Sequence, residues 1–233
     1  MILTVTLNAA IDKRYVVEDF KIGEVDRVKE CVYTPGGKGL NVSKPASIAG
    51  AKVVATGFVG GHAGNYIEAE LKPFGIEIVE RMNDLGIIVD VSHLSDGGLW
   101  DVLKHSKKPV IASHSNARAL CDHQRNLTDE MIRALAEKGG VSGINFYPYF
   151  LNESGKANID DLIRHIEHMY YVGGEDFVAM GTDFDGFNDG ELDIKHLGQI
   201  NYLYEALKKR KFNDSQIEKF WNKNAMRIIK EVL

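Results

Sequence analysis

The chain has 233 residues, 44% of them hydrophobic and 26% charged, with a formal net charge of -5. That length supports one large α/β domain or two small ones, and the hydrophobic share excludes wholesale disorder. Slight acidity without a long Lys or Arg run gives no footprint for nucleic acid, and no apolar stretch reaches the roughly 20 residues of a membrane span. Ile2 to Leu7 is a short β-branched run that predicts a buried strand. Residues 15–34 alternate, and Tyr15-Val16-Val17 with Val25 to Tyr33 predict a two-stranded excursion. Pro35-Gly36-Gly37-Lys38-Gly39 is the strongest loop signal of this half, ahead of a helix running to Gly50 that Pro45 should kink. Val53 to Val59 predicts a strand, and residues 65–72 a helix with Ile67 and Leu71 on one face. Pro73-Phe74-Gly75 breaks that helix before a second amphipathic piece, Ile76 to about Asp84.

The remainder alternates more regularly. Ile87 to Val91, Pro109 to Ala112, Val141 to Phe146 and Phe177 to Met180 predict strands. Gly98 to His105, Asp129 to Lys138 and Ile159 to Val172 carry helical periodicity between them. Thr128 ahead of Asp129 and Glu130 suits a helix start, and Asn213 with Gln216 suits a capping box before the last helices. Strands alternating with helices mean βα units and a mainly parallel sheet. The only seam in the chain is around Pro73 to Glu77.

Gly36-Gly37-Lys38-Gly39-Leu40-Asn41 stands between the excursion and a helix. Glycines let the backbone approach an anion, a helix amino terminus favours negative charge, and Lys38 adds a point charge. The spacing is not that of a Walker loop, and a tight surface turn is the plain alternative. Asn8 and Asp12 follow the first strand with hydrogen-bonding groups for hydroxyls. Together with Leu7 to Asp12 and Thr56-Gly57-Phe58-Val59-Gly60, this segment resembles the PfkB-type carbohydrate kinases, the phosphofructokinase and tagatose-phosphate kinase branch of the ribokinase-like fold. The likeness covers residues 1 to about 77. It implies that Asp12, Gly37, Lys38 and Asn41 contact a sugar phosphate and that residues 15–34 form a lid. That family places its catalytic aspartate in a Gly-x-Gly-Asp turn, and the chain contains none. Phosphoryl transfer therefore lacks its base and its anion hole, and no ATP site is evident.

A second constellation lies at strand ends: Asp90-Val91-Ser92-His93, Ala112-Ser113-His114-Ser115, and Gly181-Thr182-Asp183-Phe184-Asp185-Gly186. Loops at the carboxyl ends of parallel strands are where α/β folds place chemistry. Two histidines on successive strand ends with a nearby carboxylate suit zinc or another divalent metal, whereas a lone strand-end histidine is ordinarily structural. These runs, with Arg81 to Gly86, Arg125-Asn126 and Asn145-Phe146-Tyr147, are similar to the membrane (renal) dipeptidase family from about Phe74 to the end. The resemblance implies half of a (β/α)8 barrel that hydrolyses dipeptides with zinc. On that likeness His93 and His114 are metal ligands, Arg125 holds the substrate carboxylate, and Asp183 handles a proton. The family's first-strand His-x-Asp pair, bridging glutamate and substrate-binding histidine have no counterpart, and no His-x-Asp occurs. Two histidines fall one short of an ordinary three-ligand zinc site; Asp183, Asp12 or solvent is left to complete a mononuclear one.

Other residues are read more plainly. His165 and His168 share a helix face with Arg164, Glu167 and Asp161 and are expected on a solvated surface. Trp100 and Trp221 are expected in the core or at its edge, and Lys208 to Lys211 at a helix end that suits the macrodipole. The expected whole is an α/β chimera: a ribokinase-like βα fragment (1–75) fused to a (β/α)4 half TIM barrel (76–233), forming one folding unit with a parallel sheet of about six strands. The two incomplete parents favour an engineered recombination without efficient catalysis. The alternatives are a metal-dependent dipeptidase-like hydrolase with a rebuilt mononuclear site, or a sugar-phosphate binder. The expected ligands are a small peptide or sugar phosphate, with no nucleic acid and no membrane. Unpaired sheet edges leave monomer and homodimer open. Two isolated cysteines, Cys31 and Cys121, and an amino terminus without signal-peptide features point to the cytoplasm.

Overall fold

A computed structural model describes residues 2–6, 10–17, 28–49, 53–57, 75–187 and 190–233. The chain divides into two compact units, Met1–Ile78 and Val79–Leu233. In the first unit, β1 (Ile2–Thr6) pairs in parallel with β4 (Val53–Gly57). The alternating excursion is an antiparallel pair, β2 (Ala10–Val17) with β3 (Val28–Gly36), in a register that sets Asp12 opposite Thr34. Gly37, at φ 107°, turns the chain from β3 into α1 (Lys38–Ile48), which holds Pro45 inside it. A left-handed φ of this kind suits glycine and few other residues. The helix expected over residues 65–72 lies outside the described residues.

Residues 75–84 form α2. The second unit then repeats a strand–helix unit: β5 (Val89–Asp90), α3 (Asp96–His105), β6 (Val110–Ala112), α4 (Asp129–Glu137), β7 (Val141–Ile144), the short α5 (Pro148–Leu151), α6 (Ile159–Gly173) and β8 (Val178–Met180). The four strands pair in parallel in chain order, as helical crossovers demand. Three further helices close the unit: α7 (Asn201–Lys209), α8 (Asp214–Glu218) and α9 (Asn224–Val232).

The sequence sets these helices in place. Thr128 caps α4 by accepting from the Met131 amide, and Asn213 with Gln216 closes the expected capping box of α8. Asn158 and Asp161 close a second box at α6 that the sequence reading did not pick out. Side chains alternate along the strands. Val110, Ala112, Ile144 and Val178 enter the main core with Ile132, Leu135, Leu162, Ile166 and Met169 of α4 and α6. Val141 and Ala179 point the other way, onto Ile228 and Val232 of α9. Each fully buried aliphatic side chain contributes about 1.5–3 kcal/mol, so this packing holds the strand ends in fixed relation.

Three expectations need correction. Among the described residues, the parallel strands form a four-stranded and a two-stranded sheet, not one of about six. His165 is not on a solvated surface but 1% exposed, because the apolar positions Leu162, Ile166 and Met169 of α6 carry it inward. Trp100 is exposed, since α3 buries Leu99, Val102 and Leu103 instead. No helix among the described residues is long and apolar enough to cross a membrane.

Candidate active site

The carboxyl ends of β5, β6, β7 and β8 point the same way because the sheet is parallel, and each delivers polar side chains. From β5 come Asp90, Ser92 and His93, and from β6 Ser113 and His114. Asn145 follows β7, Asp183 follows β8, and the loop before α4 supplies Arg125.

His93 and His114 meet at their Nε2 atoms, 2.9 Å apart, with ring planes inclined at 62°. Two nitrogens each about 2.0–2.1 Å from one tetrahedral zinc ion stand about 3.3–3.4 Å apart, so this hydrogen-bonded pair would open by about 0.4 Å to share an ion. Neutral imidazole nitrogens are also the donors such an ion selects. Burial lowers the His93 pKa first, then Arg125 and His114, against Asp183 and Asp90, which keeps its ring neutral and able to ligate. Among the described residues, no group of three His, Cys, Asp or Glu side chains gathers at one point.

Behind His114 lies a hydrogen-bonded frame. The Asp90 Oδ1 accepts from the amides of Ser92 and Ser113, each at 3.0 Å, and its Oδ2 accepts from the Ser113 hydroxyl at 2.5 Å. Burial pushes the Asp90 carboxyl up, but the bonds from Ser113 and Ser92 outweigh it and hold the group below its usual range. Ser113 Oγ also lies 2.7 Å from His114 Nδ1, and the Ser92 hydroxyl accepts from the His114 amide at 2.9 Å. The Ser113 carbonyl is pressed against Gly143 and Gly181, where an added Cβ would stand 2.1 and 2.0 Å from it. Only glycine on β7 and after β8 leaves room for this strand end.

Arg125 donates from Nε to the Ser92 carbonyl at 2.9 Å and lies over the Phe150 ring. Its Nη2 is buried without a hydrogen-bond partner. Burial disfavours its charge, and Asp183 and Asp90 restore part of it. A buried guanidinium N–H without a partner is costly unless a carboxylate or other acceptor meets it. Asp183 has left-handed backbone, φ 57°, and accepts from the buried Asn145 through Oδ2 at 3.1 Å. Left-handed backbone is uncommon outside glycine, and aspartate tolerates it better than most residues. The side chain of Asn116 fixes Asn145 in turn, accepting from its amide at 2.8 Å and donating to its carbonyl at 2.9 Å. A pocket of about 370 Å³ is lined by Cys121, Asp122, His123, Tyr147, Tyr149 and Glu153, and by none of His93, His114, Arg125 and Asp183.

Of the residues singled out in the sequence, His93, His114, Arg125 and Asp183 come together in the second unit. In the first unit, Asn41 Nδ2 donates to Asp12 Oδ2 at 3.1 Å, next to the Gly37 turn and the start of α1 at Lys38. Asp90, Ser92, Ser113, Asn116 and Asn145 were missed as site residues. The run Ser-His-Ser at the β6 end, and an Asp three residues before His93, were the available signals.

Comparison with known proteins shows the family. The family model for membrane dipeptidase, peptidase family M19, matches residues 52–233. An uncharacterized protein of the pqqA 5′ region of Klebsiella pneumoniae is 35% identical over 162 residues, 68% of this chain and 59% of that protein. An uncharacterized dipeptidase of Schizosaccharomyces pombe is 36% identical over 164 residues, 69% of this chain and 39% of its own length. A metallo peptidase of Rhodobacter sphaeroides, crystallised with a phosphinate mimic of the dipeptide L-Ala-D-Ala, superposes with a TM-score of 0.65 at 30% identity. The match covers 76% of this chain and 48% of that one. The chain thus spans about half the length of the relatives it matches. The family match begins upstream of the seam expected at Pro73 to Glu77, so residues 52–77, expected to be kinase-like, fall inside it. A recombined inert scaffold gains no support from these comparisons. With its strand-end histidines, arginine and aspartate assembled on a parallel sheet, the chain belongs to the membrane dipeptidase (M19) family.

Proposed function

We propose that the chain is a metal-dependent dipeptidase-like hydrolase with a mononuclear site, His93 and His114 holding one zinc ion. The observation that carries this reading is the convergence of their Nε2 atoms at 2.9 Å beside Arg125 and Asp183. When bound, the ion would polarise a peptide carbonyl and lower the pKa of water. Asp183, whose charge reaches His93, is the acid placed to complete the ligand set or to take and return a proton. Asn145 holds one of its oxygens and so fixes which way the carboxyl faces. Arg125, whose Nη2 is left unpaired, would receive the carboxylate of a small peptide. The test is zinc content and hydrolysis of L-Ala-D-Ala by the purified chain. His93→Ala and His114→Ala should each abolish both, and unchanged zinc and turnover in either variant would end this reading.

A second reading rests on the first unit. The contact of Asn41 with Asp12 beside the Gly37 turn supports a sugar-phosphate site, which residues Gly37, Lys38, Asn41 and Asp12 would form as a kinase-like remnant of the expected chimera. Calorimetry with fructose and tagatose phosphates tests it, and absence of heat removes it.

A further inference from the structure

The proton count around Ser113 decides which nitrogen of His114 carries hydrogen. Ser113 has one hydroxyl proton and two close neighbours that compete for it: Asp90 Oδ2 at 2.5 Å and His114 Nδ1 at 2.7 Å. An ionised carboxylate accepts and never donates. Asp90 is held as such an acceptor by two backbone amides on its other oxygen. The Ser113 proton therefore goes to Asp90. The contact to His114 is then satisfied only if Nδ1–H donates into the Ser113 oxygen.

We propose that Asp90 and Ser113 are positioning residues, a carboxylate–serine relay that locks His114 in the Nδ1–H tautomer and leaves its Nε2 lone pair free for the metal site. Ser92 completes the frame: its hydroxyl takes the His114 amide and sits 3.3 Å from the Ser113 hydroxyl, whose remaining lone pair it can donate to. A relay of this kind sets ligand orientation and tautomer in advance of metal binding. His93 is treated differently. Its 2.9 Å contact to a bare His114 Nε2 requires its own Nε2 to carry a proton, so His93 must change tautomer to ligate while His114 need not. The two ligands are unequal, one preset and one adaptable. This assignment rests on the metallohydrolase reading only for its purpose, since the tautomer itself is a property of the metal-free protein.

The experiment is two-bond proton–nitrogen correlation NMR on histidine-labelled, chelator-treated full-length chain at neutral pH. His114 is expected with its proton on Nδ1, Ser113→Ala should move the proton to Nε2, and Ser113→Thr should restore the original pattern by returning the hydroxyl. Zinc titration of the same samples should show about 10–100-fold weaker binding for Ser113→Ala and near-native binding for Ser113→Thr. A proton on Nε2 in the unsubstituted chain, or a tautomer indifferent to Ser113→Ala with native circular dichroism, overturns the relay. If the tautomer responds as described but the unsubstituted chain takes no zinc, the relay stands and the metallohydrolase reading falls.

Discussion

Acid should unfold the second unit through one buried side chain. His165 lies inside α6, where its Nδ1 accepts from the Ala117 amide at 3.1 Å and its Nε2 donates to the Leu151 carbonyl at 3.1 Å. Both contacts need a neutral ring, because a second proton on Nδ1 would face an N–H donor. Burial, followed by the smaller effects of Arg164 and His168, depresses its pKa from 6.5 to about 4, although the bond to Leu151 and the charge of Asp161 oppose this. A folded pKa below the unfolded one means that the unfolded chain binds more protons in between. The stability so gained is fully present above 6.5 and is lost as pH falls toward 4. At about 1.4 kcal/mol per pH unit, the whole gap amounts to about 3 kcal/mol, of which about 2 kcal/mol is gone by pH 5. Urea unfolding between pH 7.5 and 4.5 measures this loss, and the comparison is His165→Gln, a neutral amide that does not titrate. The only two tryptophans, Trp100 and Trp221, lie in the second unit, so their emission reports on that unit alone. The unsubstituted chain should lose about 2.5 kcal/mol more than the variant over that range. Parallel pH profiles for the two proteins would refute the reasoning, whatever their absolute stabilities.

Three further outcomes follow from single contacts. Arg125→Gln should raise KM for L-Ala-D-Ala by about 10–100-fold with a smaller change in kcat, since a charge-assisted bond worth about 1.5–3 kcal/mol is lost; steady-state kinetics on the zinc-loaded chain decide it. Gly143→Ala places a methyl group 2.1 Å from the Ser113 carbonyl and should cost at least about 2 kcal/mol in urea unfolding. Gly75→Ala, with nothing within 4 Å, serves as the tolerated control. Asn158→Ala removes one half of the α6 capping box and should cost about 1 kcal/mol by the same measurement.

The regular part of the fold was legible because its signals are local. β-branched runs at Val110 and Val141, a capping threonine at 128 and helical periodicity after it each act within one element, and each formed where expected. His165 was misplaced because charged neighbours in sequence were taken as neighbours in space. Arg164 and Glu167 project around the far side of α6, while Leu162, Ile166 and Met169 share its buried stripe with the histidine. The sheet of about six strands is seen only as separate four- and two-stranded parallel sheets among the described residues, for a different reason. Pairing between strands far apart in the chain depends on long-range geometry, and nothing in the short apolar runs of β1 and β4 specifies which strand they join.

The site divides along the same line. His93, His114 and Asp183 were legible because they sit directly at strand ends, where direction is inherited from the parallel sheet. Their supports were not, because Asp90, Ser113 and Asn145 acquire meaning only once β5, β6 and β7 lie side by side. Serine, asparagine and aspartate are common at turns for local reasons, so their presence after a strand carries little information alone. What distinguishes them is the number of hydrogen bonds each makes across strands. Asp90 alone ties two strand ends together through three donors. His114, held by this frame, keeps its orientation even though no group of three His, Cys, Asp or Glu side chains gathers among the described residues. Metal affinity in this chain should therefore be governed as much by the frame as by the ligand count. Ser113→Ala, which leaves both histidines in place, tests that balance more sharply than removing either one.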